Sequence, residues 1–225
     1  MTNFSYNFKS TEKVKDGGKF LSAGIHDVTF KSVSLDTIVG KDGTKYNVMK
    51  LTVDVDGYGE YSHNFFEPTS DQRTSTQYGE NPSQVEQFMI IIRQILEAID
   101  PEVLEKIYAS EKGLGTTFVD IVKNISKITS SKSGTATQLK LIPNGNFNQI
   151  PSFPARITKD GNLGIATRFI GKDLVLSSTE LKKVEAAKNA KPTNMNTFNQ
   201  SQATKDLLAD INADFGGDSS DDLPF

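Results

Sequence analysis

The sequence predicts an α+β fold that is mainly β, and three observations carry that reading. Residues 19–66 break into three segments of alternating apolar and polar character, separated by Gly/Asp turns. Residues 82–128 switch to apolar side chains at i, i+3, i+4 and i+7, the period of a helix buried on one side. From Thr137 the period of two returns.

Taken in order, residues 1–18 are polar, with Phe4, Tyr6 and Phe8 at alternate positions. Such spacing predicts an extended arm able to pair at a sheet edge; Asp16-Gly17-Gly18 then breaks it. The first strand, residues 24–38, sets Val28 and Phe30 on one face, but its apolar parity then moves to Val33 and Leu35. A parity change inside one strand requires a bulge or a strong bend. A long, bent first strand is what a small barrel needs in order to pair into both halves of its sheet. Gly40-Lys41-Asp42-Gly43 turns the chain into a second strand, 46–55, with Met49, Leu51, Val53 and Val55 inward and Tyr46, Val48, Lys50, Thr52 and Asp54 outward. Asp56-Gly57 is read as the next hairpin turn. The third strand, 59–66, puts Tyr61, His63 and Phe65 on one face and Ser62, Asn64 and Phe66 on the other.

Residues 67–81 are rich in Ser, Thr, Gln and Gly, include Arg73 and Tyr78, and read as a lid or ligand-contacting loop. Asn81-Pro82 and the capping box Ser83–Glu86 open the helical block. Its first helix sets Val85, Phe88, Met89, Ile92, Ile95, Leu96 and Ile99 on one apolar face, Asp100-Pro101 restarts a second helix, and a third spans 117–128. Strands resume at 137–142, where Leu139 and Leu141 alternate with Gln138 and Lys140. Pro151 and Pro154 make 150–158 an edge or bulged strand, Asp160-Gly161 forms a hairpin turn, and Ser177–Glu180 is a second capping box before a short helix. Three strands, a helical block, then more strands is the element order of an OB-fold, a five-stranded Greek-key barrel. Here the helical insertion between strands 3 and 4 is enlarged; an unrelated α+β sheet with a helical layer is the alternative. The expected organisation is an arm at 1–18, a barrel domain at 19–187 and a disordered acidic tail at 188–225, whose composition is low in apolar residues.

Composition excludes several functions. The 225 residues contain no Cys and two His, so thiolate chemistry and Cys-based zinc sites are ruled out, and no metal or other cofactor is expected. Gly113-Leu114-Gly115 lacks the Gly-Lys-Ser/Thr of a phosphate-binding loop, and no Ser-centred nucleophile elbow is present. His26 and His63 read as structural histidines. Residues 1–6 show no basic-then-apolar leader, and no run reaches the ~18 apolar residues of a membrane span. A cytoplasmic protein is therefore expected. Net charge is −3, but residues 201–225 hold six Asp against one Lys, a net of −5, which leaves +2 on residues 1–200. A mildly basic body with an acidic tail fits a nucleic-acid groove that the tail can mask.

The sequence ends Asp218-Ser219-Ser220-Asp221-Asp222-Leu223-Pro224-Phe225, with Gly216-Gly217 loosening the chain before it. This stretch resembles the acidic C-terminal tip of bacterial and phage single-stranded DNA-binding proteins, which typically reads Asp-Asp-(Ile or Leu)-Pro-Phe. The match covers five residues and the acidity of those preceding them. The resemblance implies a non-enzymatic protein that coats single-stranded DNA during replication, recombination or repair. It also implies that Asp218, Asp221, Asp222, Leu223, Pro224 and Phe225 dock replication and recombination proteins. The large helical insertion fits a phage-encoded member working in the host cytoplasm, and homo-oligomerisation is compatible with the reading. The absence of Trp departs from many members of that family, which stack bases on Trp.

A single-strand groove needs cations for phosphates and flat rings for bases. Tyr46 and Lys50, with Tyr58, Tyr61, His63 and Phe65 beside them, are the candidates on the strands. Arg73, Lys140, Arg156 and Arg168 are the candidate phosphate contacts. Two other classes compete: a metal-dependent nuclease using Asp54 and Asp56, and an adaptor that displays the tip without binding DNA.

Overall fold

The computed structural model describes residues 21–77, 79–108, 113–145 and 147–189. The expected arm and acidic tip lie outside these residues. By its contacts the chain divides after Ala187, and the architecture below is that of the part before it. The fold is mixed α and β around a mainly antiparallel sheet. The strands are β1 (Gly24–Val39), β2 (Lys45–Val55), β3 (Gly59–Phe66), β4 (Thr74–Thr76), β5 (Gly79–Asn81), β6 (Ala136–Asn144), β7 (Phe147–Gln149), β8 (Ala155–Ile157), β9 (Leu163–Ile165) and β10 (Ile170–Gly171). The helices are α1 (Gln84–Ile99), α2 (Pro101–Tyr108), α3 (Phe118–Thr129) and α4 (Ser178–Asn189).

The main sheet runs β10-β6-β1-β2-β3, with β7 pairing to β6. β1 pairs with β2 over Val28–Val39 and with β6 over Gly24–Thr29. The β1–β2 register shifts between Phe30 and Ser32, which is the bulge that the parity of Phe30 and Val33 requires. Lys31 sits at the slip, so Val28, Phe30, Val33 and Leu35 can all face the core. Among the described residues the sheet does not close: β10 and β3 are its two edges.

The core lies between the inner face of the sheet and the helices. Phe30, Val33, Met49, Leu51 and Val53 meet Ile92, Ile95, Leu96, Val122 and Ile125 there, each essentially without solvent exposure. Burying each such side chain contributes about 1.5–3 kcal/mol. α1 starts at Ser83, whose hydroxyl accepts from the Glu86 amide while the Glu86 carboxylate accepts from the Ser83 amide. The N-cap is thus Ser83. Two buried glutamines one heptad apart on α1 then fasten the segment leading to β10. Gln87 donates to the Ala155 carbonyl and accepts from its amide, at 3.1 and 2.9 Å. Gln94 donates to the Thr167 carbonyl and accepts from the Phe169 amide, both at 2.9 Å. Each amide side chain satisfies a backbone N–H and a C=O of this irregular stretch. Residues 150–158, expected as one strand, pair only over β8, whose partner is β9 with Ala155 opposite Ile165; Pro151 and Pro154 before it bring no N–H to a ladder.

The polar loop expected at 67–81 instead contains the β4–β5 hairpin, exposed along both strands. No helix among the described residues is long and apolar enough to cross a membrane.

Candidate functional site

The turn after β2 decides which side chains share a face. It has three residues, Asp56, Gly57 and Tyr58, with Gly57 at φ +69° and the Tyr58 amide bonded to the Val55 carbonyl at 3.0 Å. Val55 therefore pairs with Gly59, and the register places Lys50 opposite Asn64, Thr52 opposite Ser62 and Val48 opposite Phe66. On the other side Lys50 faces Ser34 and Tyr46 faces Ile38. Directly opposed residues point to the same face. The outer face of β1–β2–β3 is thus a polar field of Ser32, Ser34, Thr52, Ser62 and Asn64 around Lys50, with an aromatic end.

At that end Tyr46 and Phe66 are 41% and 48% exposed and meet edge to face, with ring centroids 6.2 Å apart. Val48 lies fully buried at the position opposite Phe66. Two solvent-facing rings with one cation a row away supply flat π surfaces for bases and a charge for phosphate. Acids share the face as well: Asp36, Asp54 and Glu60. Lys31 offsets Asp54 from 3.7 Å. Phe66 was absent from the expected site, although the length of the turn was the signal that identifies it.

The structure separates the other expected residues. Tyr61, His63 and Phe65 lie on the opposite, inner face, across from Val53, Leu51 and Met49. Phe65 is 8% exposed and packs on Phe169 at 5.9 Å, while the His63 ring sits against Phe65 at 4.7 Å. Burial pushes the His63 imidazole down to about 4, so the ring is neutral. Burial, with a smaller contribution from Tyr58, pushes the Tyr61 phenol up to about 12. These three side chains belong to the core wall and offer no platform to bases. Tyr58, half-buried in the hairpin turn, lines a cleft of about 560 Å³ with Asp27, Asp54, Asp56 and Thr137.

The expected phosphate contacts also divide. Lys140 is a correction: its side chain is 4% exposed and its ammonium donates to Glu180, Thr167 and the Val175 carbonyl at 2.9–3.1 Å. No donor is left for a phosphate. Arg73 forks onto Glu86, with the closest N–O distance 2.6 Å, and reaches Glu80 at 3.6 Å. It ties the β4–β5 hairpin to the first turn of α1. Arg168 pairs with Glu97 at 3.4 Å and stays 56% exposed. Arg156 is exposed on β8. Neither arginine belongs to the β1–β2–β3 face, so of the ten expected contacts only Tyr46 and Lys50 occupy that face together. Among the described residues no group of three or more His, Asp or Glu is placed to hold a metal ion, and Asp54 and Asp56 form no such set.

No protein-family model matches the chain, and no curated protein is similar to it in sequence.

Proposed function

We propose that this protein binds single-stranded DNA across the outer face of β1–β2–β3 without catalysing a reaction. It recruits replication or recombination proteins through Asp218, Asp221, Asp222, Leu223, Pro224 and Phe225. The observation that carries the DNA-binding part is the exposed Tyr46–Phe66 pair beside Lys50, on the solvent face of a bent antiparallel sheet. The ligand class comes from the tip, whose last five residues match the single-stranded DNA-binding proteins.

The underlying fold is read as an OB barrel opened at one seam. In that fold the first strand pairs with both the second and the fourth, as β1 does here with β2 and β6. The fifth strand lies beside the fourth, as β10 does beside β6. The seam falls between β3 and β10, and Phe65 and Phe169 bridge it by side chains in place of backbone pairing. α1–α3 occupy the position of the helix between strands three and four.

The test is an anisotropy titration of labelled oligo-dT with the full chain, at several salt concentrations. Binding should weaken with salt on a log–log slope of about −0.7 per phosphate neutralised. Removing residues 218–225 should leave DNA affinity unchanged or raised while abolishing capture of replication proteins. Absence of binding at low salt would overturn the DNA-binding reading and leave the tip as the functional element.

A further inference from the structure

Sheet edges left open invite another strand, because they present unpaired N–H and C=O groups. Among the described residues the main sheet has two long open edges. One is the half of β1 beyond Phe30, past the last pair with β6. That edge is guarded: a bulge twists it at Lys31, and the Thr37 amide is bonded to the Asp36 carboxylate at 2.8 Å. The other is β3. Its eight residues hold no proline, its register with β2 runs without a shift, and Glu60 is its one charged residue.

We propose that β3 accepts, on the edge away from β2, the segment 3–8 of its own chain as an added antiparallel strand. The patterns are complementary face by face. Tyr61 and His63 of β3 point inward, while Glu60, Ser62 and Asn64 point outward. In the arm Phe4, Tyr6 and Phe8 alternate with Asn3, Ser5 and Asn7. Laid beside β3, the three rings cover the half-buried Tyr61 and His63, and the three small polar side chains continue the polar outer face. A one-residue slip would put three aromatic rings among Ser62 and Asn64, so the face pattern fixes the parity.

Direction and reach agree with this placement. β3 runs parallel to β1, since each is antiparallel to β2. An arm antiparallel to β3 leaves the sheet at the Gly59 end, and Gly59 is level with Val55 and Val28. β1 begins beyond that same end, where the Leu21 carbonyl is held by Asn148 at 2.9 Å. The connection must cross three strand spacings, about 14 Å, and run about 23 Å along the strands. Residues 8–21 extend to about 43 Å, and Asp16-Gly17-Gly18 supplies a turn.

The chain has no cysteine, so paired cysteines report the contact without background. Full-length variants would carry Ser62→Cys with Asn3→Cys, Ser5→Cys or Asn7→Cys, and be oxidised under dilute conditions. The control pair is Ser5→Cys with Ser34→Cys, two strands away on the same face. The expected result is an intrachain disulfide in at least one of the three Ser62 pairs and none in the control, identified by peptide mass. Crosslinking between chains would overturn the proposal by assigning the edge to a second copy. Failure of all three pairs, or equal reaction of the control, would overturn it outright. A second readout needs no cysteine: Phe4→Ser/Tyr6→Ser/Phe8→Ser should speed amide exchange in β3 while leaving β6 unchanged. Unchanged exchange in β3 would also overturn the proposal.

Discussion

Replacing Lys140 with methionine should be among the most destabilising single changes on the sheet, although it exchanges a polar side chain for an apolar one of similar length. The Lys140 and Glu180 side chains are 4% and 12% exposed, and the ammonium makes contacts to both carboxylate oxygens, the Thr167 hydroxyl and the Val175 carbonyl. Removing one partner of a buried pair costs about 3–5 kcal/mol, because the remaining charge is stranded in a medium that solvates it poorly. Glu180 keeps the Ser177 amide and the Thr167 hydroxyl as donors, which puts Lys140→Met at the lower end, about 3 kcal/mol. For a chain of this size that is a fall in Tm of about 6–12 °C. Glu180→Gln should cost a similar amount by stranding the ammonium, while glutamine keeps the capping box of α4. The double variant leaves no buried charge and should lie closer to wild type than either single variant. Urea unfolding at pH 7, followed by far-UV circular dichroism, reads all four proteins. The reasoning fails if Lys140→Met stays within about 0.5 kcal/mol of wild type, or if the two single costs simply add.

Acid should destabilise the protein through His63. Its folded pKa is lowered to about 4 by burial, so the neutral ring's stabilising contribution is complete above the ordinary histidine range and is lost as pH falls toward 4. The loss is at most about 3 kcal/mol, and it should vanish from the stability–pH profile of His63→Gln. Glu180 acts lower in the pH range: burial alone would raise its carboxyl, but the Ser177 amide and Lys140 outweigh that and hold it below the ordinary value. Its contribution is therefore lost only as pH falls through that lowered value. Gln94→Leu should cost about 2–4 kcal/mol in urea unfolding, since it orphans both the Thr167 carbonyl and the Phe169 amide. Tyr46→Ala and Phe66→Ala should each weaken oligo-dT binding by about 1–3 kcal/mol, roughly 5- to 150-fold, with little change in stability. Phe65→Ala should show the reverse, about 3–5 kcal/mol of stability lost.

Much of the fold was legible because local signals and tertiary packing agreed. The move from Phe30 to Val33 located the bulge, Ser83–Glu86 and Ser177–Glu180 located two helix starts, and the spacing of Phe88, Ile92 and Ile95 located the buried side of α1. The missed elements depend on partners far away in sequence. β8 is held on one side by β9 and on the other by Gln87, which bonds the Ala155 amide and carbonyl from 68 residues before it. Lys140 looked like an outward lysine because it alternates with Leu139 and Leu141. Its partner Glu180 lies 40 residues later, at the start of a helix, where an acid already has a local purpose.

The misplacement of Tyr61, His63 and Phe65 has a single physical cause, the length of one turn. A two-residue turn at Asp56-Gly57 pairs Val55 with Tyr58. Lys50 then falls opposite His63, and Tyr61, His63 and Phe65 are lifted onto the outer face with Tyr46. The actual turn includes Tyr58, which moves every pair by one residue, and in a sheet of period two that inverts the whole strand. Composition alone favours the wrong answer, since Tyr, His and Phe at alternate positions look like a stacking platform. The packing settles it: Phe65 lies opposite Met49 and packs on Phe169, and His63 lies opposite Leu51 with its ring against Phe65. Ser62 and Asn64 can face water without loss, and Phe66 is carried outward with them. An exposed phenylalanine that the core did not select, next to an exposed tyrosine, is the reason to look for the ligand on that face.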